Sequence, residues 1–494
     1  MIGSEWARSS RWLAIAAVAW IGTAALPPVA AEDLYREAHE LKAKYAADIA
    51  KLASWSDGKG LAAEAKKTRQ AVAPQDPYKL YLPILPEEVG PAKPPEDASA
   101  DALQWHKQFL KLRQEQAAAL YDVARRAIRQ RQSSLAYQLV VDAIRENPDH
   151  EGARRVFGYQ KYQDRWHTAY EVRKLRNGMV WNKEFGWLLK GNVARYEAGQ
   201  RWSGGRWISK EADAAAHATI KTGWEIETEH YLIRTDHSVE GGVELGTKLD
   251  TLHRLWQQIF VCFYASETYV DTLFTGRAQA RFTEMPRFNV HYFRNRQEYV
   301  RALEPKMPGI GISAGFYASG DRIAYFYAGG DDTERVLYHE ATHQLFQQSR
   351  RAAADVGGRA NFWIVEGIAM YMESLHRENG YYVVGGLSDA RMVAARHHLL
   401  QQNFYMPFAQ ITALGARDLQ THAEIKKLYS QIAAMTHLLV SADGGRHRDA
   451  LVSYLSAVYN GNQDPDLLAR LMGESYADLD AQYRAFMETG LKPE

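Results

Sequence analysis

The chain has 494 residues, with 60 Lys and Arg against 59 Asp and Glu, so its formal charge of +1 offers no bulk positive surface for nucleic acid. Cys262 is the only cysteine, which excludes an intrachain disulfide and a cysteine-ligated metal site. Hydrophobic residues make up 46% and charged residues 24%, as in ordinary globular proteins, and the length allows two or three domains.

Residues 1–31 have the order of a secretory signal peptide. Arg8 and Arg11 precede an apolar run that ends at Leu26, and small residues follow up to Ala31. We predict cleavage after Ala31 and export to the periplasm, the cell envelope or the medium. An uncleaved anchor is the alternative, although the run is short for a membrane span. No second long apolar run follows, so we expect no membrane span after cleavage.

The next part of the chain is predicted to be helical. Residues 32–100 begin as a charged, alanine-rich segment and end in a proline-rich stretch, which is predicted to be an extended linker or a wrapping segment. Residues 101–156 have helical spacing, and the pattern from Leu120 to Pro148 fits one tetratricopeptide (TPR)-like helix pair. An ordinary helical hairpin fits equally well. This helical region is a candidate surface for a protein partner.

Residues 157–223 differ because aromatic residues alternate with turn residues. Pairs such as Arg165-Trp166 and Arg206-Trp207 beside glycines predict short hairpins, which would form a small aromatic-rich β connector. Tryptophans next to arginines could also stack on a glycan. Packing of the rings within the connector is the favoured interpretation.

Residues 224–490 combine short strands with helices and form the predicted main domain. Strands are predicted at 229–235, 288–293, 315–317 and 322–327, and helices over 239–264 and most of 388–490. With the helical N-terminal region, this pattern predicts an α+β protein that is mainly helical and has a small mixed sheet.

The sequence His339-Glu340-Ala341-Thr342-His343 follows the last predicted strands and has the pattern HExxH. The spacing of the surrounding apolar residues predicts a helix, on which residues four apart share a face. His339 and His343 can therefore bind one metal ion, and Glu340 is suited to take a proton from a metal-activated water. The alternative is a partly buried helix whose histidines only form hydrogen bonds.

A third ligand is needed, because catalytic zinc usually takes three from the protein. After a predicted loop at 351–360, a second apolar helix over 361–373 would return Glu366 to the metal. An acid in so apolar a segment needs a partner or a metal; a salt-bridged surface carboxylate is the alternative. Glu373, seven residues later on the same face, is suited to orient a ligand histidine.

HEATH followed by WIVEGIAMYMES resembles the gluzincin metallopeptidases, whose zinc aminopeptidase branch has HExxH and then a WLxEGxAxYxE-like helix. The resemblance implies a zincin-like catalytic domain, with a sheet packed on the HExxH helix. It implies that His339, His343 and Glu366 bind Zn²⁺, that Glu340 is the general base and that Glu373 supports a ligand. The chain is also similar to secreted bacterial proteins with a peptidase-MA-like domain.

Two departures from the gluzincin pattern bear on the substrate. Glu366 lies 23 positions after His343, a longer interval than in the best-known gluzincins, which argues against placing the chain in one of those families. The GxMEN-type strand that holds a free amine in the aminopeptidases has no counterpart, since residues 311–315 contain no acid. We therefore predict an endopeptidase rather than an aminopeptidase.

The resemblance also suggests where a substrate would lie. In gluzincin-like folds an edge strand above the metal pairs with an extended peptide; if 322–327 is that edge, Arg322, Ile323, Ala324 and Tyr325 would bind substrate. An interior strand without a binding role is the alternative. Gluzincins add a Tyr or His donor for the oxyanion, and Tyr429 is the first candidate here; a core tyrosine is the alternative.

Together these patterns predict an exported zinc-dependent peptidase that acts on peptide or protein substrates. One alternative is a non-catalytic envelope protein, with a zincin-like domain that serves binding or scaffolding. An intact Glu340 argues against it, because a structural metal site needs no base. The other alternative is a zinc amidase that acts on cell-wall peptides.

Overall fold

The computed structural model describes residues 33–90, 93–94, 96–276, 286–330 and 333–488; the predicted signal peptide lies outside these residues. Helices hold 57% of the chain and strands 13%, so the predicted α+β class with mainly helices is confirmed. No helix in the described ranges combines the length and the apolar character that a membrane crossing requires.

The N-terminal region is a set of packed helices. Helix α3 begins where the Ser99 side chain accepts the N–H of Ala102, and its buried face packs against α4 as a hairpin. The core of this hairpin also includes Val261, Val270 and Phe274 from later in the chain, so it is continuous with the following region. The helices are α1 (Leu34–Gly58), α2 (Ala62–Arg69), α3 (Ala100–Arg129), α4 (Ser133–Glu146) and α5 (Glu151–Val156).

The proline-rich segment contributes a strand. Strand β1 (Lys79–Pro83) pairs antiparallel with a strand that lies about 300 residues later, and Leu80 and Leu82 are buried. Pro83 ends the strand, where a missing N–H costs little. This segment is therefore a wrapping segment rather than a free linker.

The aromatic-rich segment forms three hairpins, each followed by a short helix. In each hairpin a tryptophan lies on the second strand: Trp166, Trp187 and Trp207. The elements are β2 (Gln160–Tyr162), β3 (Arg165–His167), α6 (Ala169–Arg176), β4 (Met179–Asn182), β5 (Gly186–Leu189), α7 (Val193–Glu197), β6 (Gln200–Ser203), β7 (Arg206–Ser209) and α8 (Lys210–Ala216).

A five-stranded mixed sheet supports the HExxH helix, with strand order β11-β12-β10-β9-β8. The three inner strands are parallel, and the outer two run antiparallel to their neighbours. The strands are β8 (Trp224–Glu227), β9 (Tyr231–Thr235), β10 (Phe288–Phe293), β11 (Phe316–Ala318) and β12 (Ile323–Tyr327). The helices between them are α9 (Val239–Ile259), α10 (Val261–Tyr264), α11 (Glu267–Thr275) and α12 (Arg296–Leu303).

The prediction that 322–327 forms the edge of this sheet is wrong. Strand β12 pairs with β11 on one side and with β10 on the other, so the backbone of Ile323, Ala324 and Tyr325 has no free side for a substrate. Arg322 lies in the turn before the strand, and its carbonyl accepts a hydrogen bond from Gln348. The edge is β11.

Of the remaining helices, α14 (Phe362–Met372) packs directly on the HExxH helix α13 (Thr333–Gln348). Helix α14 lies between α13 and α18. Gly367 allows this approach, because a Cβ there would collide with Thr436 and lie 3.0 Å from Ile432. The other elements are β13 (His376–Glu378), β14 (Tyr381–Gly385), which pairs with β1, α15 (Ala390–Gln402), α16 (Phe408–Thr412), α17 (Ala416–Gln420), α18 (Ile425–Ser441), α19 (Arg448–Tyr459), α20 (Leu467–Met472) and α21 (Tyr476–Glu488).

Candidate metal centre

Helix α13 presents two histidines whose nitrogens converge. The Nε2 atoms of His339 and His343 lie 3.1 Å apart, and the ring planes cross at 77°. Burial holds the pKa of His343 well below its ordinary value, so this imidazole is neutral. Burial also lowers the pKa of His339, but its acidic neighbours outweigh burial and raise it. A proton shared by the two nitrogens would satisfy this contact, and a bound cation could take its place.

Helix α14 adds a carboxylate at the same point. The Oε2 atom of Glu366 lies 3.7 Å from His339 Nε2, and its Oε1 atom lies 3.9 Å from His343 Nε2. One donor atom from each of the three residues falls within 4.8 Å of the others. This group could hold a metal ion.

The spacing and the chemistry of the donors fit such an ion. Zn–N bonds of about 2.0–2.1 Å in tetrahedral geometry place two ligand atoms roughly 3.3 Å apart. The observed separations of 3.1, 3.7 and 3.9 Å lie close to that value. Burial raises the pKa of Glu366, and a bound cation would favour its ionised form.

Glu373 orients the first histidine. Its Oε1 accepts a hydrogen bond from His339 Nδ1 at 2.8 Å, which leaves the Nε2 lone pair for a metal. Arg335 donates to the same carboxylate at 2.9 Å, and Arg391 donates through Nε at 3.1 Å and Nη2 at 2.9 Å. Burial would raise the pKa of Glu373, but hydrogen bonds from His339 and Arg391 lower it to about 2. The carboxylate therefore stays ionised.

Glu340 lies next to the ligands and is fixed by the sheet edge. Its Oε2 accepts the backbone N–H of Tyr317, on strand β11, at 2.9 Å. Burial raises the pKa of Glu340 to about 7, although the charge of His339 and the Tyr317 amide act against this shift. A carboxyl group with such a pKa can take up and release a proton near neutral pH.

Tyr429 lies half-buried on α18, near the ligand carboxylate. Burial raises the pKa of its hydroxyl, and the charge of Glu366 raises it further, so the two groups are within electrostatic reach. In contrast, the residues predicted to bind substrate, Arg322 to Tyr325, belong to the turn and the interior strand described above. The Tyr325 hydroxyl donates to Asp321.

Three partners of the centre were not predicted from the sequence. Arg335 lies four residues before His339, on the same helix face, so the helical period could have identified it. Arg391 comes from α15 and the Tyr317 amide from β11, and no local pattern links either of them to the motif.

Comparison with protein-family models gives no match for this chain, and comparison with curated proteins gives none either.

Proposed function

We propose that this protein is a zinc-dependent endopeptidase of the gluzincin type. The observation that carries the proposal is the convergence of His339, His343 and Glu366 within 4.8 Å, beside a carboxylate at position 340 that is not one of the three donors. A purely structural metal site has no use for such a neighbour. A catalytic metal site also explains why the ionised Glu373 accepts a hydrogen bond from His339, since such acids orient ligand histidines.

Zinc is the metal that suits these donors. Two imidazoles and one carboxylate are a known catalytic zinc set, and three is the number of ligands that such sites usually take from the protein. When bound, zinc would supply a Lewis acid that polarises a carbonyl and makes a water molecule more acidic.

The reaction also requires a base, an acid and a donor for the oxyanion. We assign the first two roles to Glu340, which would accept the proton of the attacking water and deliver it to the leaving amine. The Tyr317 amide holds this carboxylate toward the sheet edge. The Tyr429 hydroxyl, within electrostatic reach of Glu366, is the candidate donor to the oxyanion.

Because β11 is the edge strand beside Glu340, we propose that the substrate pairs with β11. An extended peptide that pairs with this edge strand would lie next to Tyr317 and therefore next to Glu340. Pairing through backbone hydrogen bonds favours broad sequence tolerance. Because residues 311–315 contain no acid for a free amine, cleavage within chains is favoured over removal of terminal residues. An exported location remains a prediction from the sequence.

The test compares the purified protein with Glu340→Gln and with a matched control, Glu334→Gln. Glu334 is an exposed acid on the same helix, paired with Lys248. We expect all three proteins to hold one zinc by elemental analysis, and Glu340→Gln to cleave unfolded casein at least 100-fold more slowly than the other two, as for loss of a general base. Equal cleavage by all three proteins would contradict the proposal.

Two further results would redirect the assignment. Bound zinc without cleavage of casein by the wild-type protein, together with release of peptides from peptidoglycan, would identify a cell-wall amidase. Bound zinc without activity on either substrate would support a binding or scaffold role.

A further inference from the structure

A cavity apart from the metal centre lies between helix α9 and the hairpin β2–β3 with its following helix α6. Its volume is about 860 Å³, and it shares no lining residue with the metal centre. Its walls come from 157–173, 229–230, 253–258, 264–269 and 286–288. Small-molecule sites commonly have this size and lie where two structural regions meet.

Aromatic rings form much of the wall, and several polar groups there already have partners. The rings include Tyr159, Tyr170, Tyr264 and Phe288. The Tyr264 hydroxyl donates to the Gln257 carbonyl at 3.2 Å. Arg287 and the Tyr170 hydroxyl both donate to Glu227, at 2.7 and 3.3 Å. These groups have their hydrogen bonds without a ligand.

Arg254 differs from these groups, because most of its donors have no partner among the described residues. Its side chain is exposed to solvent, although it lines the cavity. Within the described part of the chain, no carboxylate lies within ion-pair distance of its guanidinium, and its one side-chain hydrogen bond is a long one, 3.4 Å to the Thr251 hydroxyl on its own helix. A guanidinium offers five N–H donors, so most of its donors are available to a ligand.

A pair of histidines, the half-buried His230 and the buried His253, lies beside this arginine. The rings of His230 and His253 stack at 3.7 Å, and Asp250 fixes His230 by accepting its Nδ1 at 3.2 Å and its backbone N–H at 3.1 Å. His253 is only 3% exposed, and among the described residues its Nδ1 has no hydrogen-bond partner. Burial lowers the pKa of His253 well below its ordinary value, so it is an uncharged polar group.

We propose that this cavity binds a small organic monocarboxylate with an aromatic or other flat apolar body. The carboxylate would lie on Arg254, whose planar donor pairs match it, and the body would lie against the aromatic wall. A single charge fits better than a phosphate dianion, because one guanidinium is unpaired and the Glu229 side chain also lines the cavity. The site is independent of the proposed peptidase activity.

The experiment uses 2-naphthoate as the probe and neutral 2-naphthamide as its shape-matched control, with binding measured by calorimetry. We expect the wild-type protein to bind 2-naphthoate at least 10-fold more tightly than 2-naphthamide, and Arg254→Gln to lose that difference. We expect Arg254→Lys, which keeps the charge but not the paired donors, to give an intermediate affinity for 2-naphthoate.

Carboxylates also bind zinc, so each titration is repeated after removal of metal with a chelator. Affinity for 2-naphthoate that is unchanged by the chelator supports the cavity. Affinity that is lost with the metal, is unaffected by Arg254→Gln or is equal to that for 2-naphthamide would overturn the proposal. If the variants do not fold, the comparison of naphthoate with naphthamide in the metal-free wild-type protein still decides.

Discussion

Among the described residues, the two histidine pairs with ring centroids less than 5 Å apart differ in the geometry that matters for a metal ion. His339 and His343 cross at 77° with their Nε2 atoms 3.1 Å apart. His230 and His253 stack face to face, with ring centroids 3.7 Å apart and planes 22° apart. Nitrogen lone pairs lie in the plane of the ring, so only the crossed pair directs two of them to one point.

The two histidine pairs are alike in one respect, because each has an acid that accepts an Nδ1 hydrogen bond. Glu373 accepts the Nδ1 of His339, and Asp250 accepts the Nδ1 of His230 in the same way. What distinguishes them is the third donor. Glu366 faces the crossed pair, whereas the stacked pair has an unpaired arginine beside it. One arrangement favours a cation and the other an anion.

The largest effect is expected from variants that replace one histidine in each pair with glutamine. We expect His343→Gln to lose bound zinc and all peptidase activity, because two ligands remain of three. We expect His253→Gln to keep one zinc, measured by elemental analysis on protein whose circular dichroism matches that of the wild type. Loss of zinc from folded His253→Gln would break the distinction between the pairs.

The next largest effect on zinc affinity is expected from replacing the acid that accepts the Nδ1 hydrogen bond in each pair. Glu373→Gln removes the charge that orients His339 and should weaken zinc binding about 10- to 100-fold in competition with a chelator. Asp250→Asn changes the equivalent acid of the stacked pair and should leave zinc affinity within a factor of two or so, since measured effects of distant sites are nearly independent. Equal losses in both variants would show that the effect is general destabilisation.

The helical period explains why the sequence alone could bring the metal donors together. His339 and His343 share a face because an α-helix brings residues four apart to the same side, and the apolar sequence around Glu366 left that acid few roles other than a ligand. The fold class followed from similar local patterns, such as the helical spacing over 101–156 and the alternation over 229–235.

Long-range pairing could not be predicted in the same way. Whether β12 is an edge or an interior strand depends on its pairing with β11 and β10. The alternation of residues within each strand does not determine the order of the strands in the sheet. Arg391 lies 18 residues after Glu373, on another helix. The cavity beside Arg254 is formed by segments more than 100 residues apart in the chain, so no local pattern predicts it.

A smaller effect is expected from replacing Gly367, which allows α14 to pack closely on α18 and so positions Glu366, the third candidate ligand. Gly367→Ala would force α14 away from Thr436 and Ile432 on α18, with a cost of about 1–3 kcal/mol in the free energy of unfolding and a weaker zinc site. Gly58→Ala, where nothing lies within 4 Å, should be neutral or slightly stabilising. Binding of 2-naphthoate by Gly367→Ala should match the wild type, and a parallel loss would mean that the two sites are coupled.

The smallest difference is expected in the free energy of unfolding, between variants of Arg391 and Arg254. Arg391→Gln removes two charged hydrogen bonds from the buried Glu373, and with about a third of the Arg391 side chain exposed we expect a loss of about 1 kcal/mol in stability. Arg254→Gln removes no ion pair and should stay within about 0.5 kcal/mol of the wild type. Urea unfolding of metal-free protein measures both. A cost for Arg254→Gln equal to that for Arg391→Gln would mean that Arg254 stabilises the fold, and its donors would then not be free for a ligand.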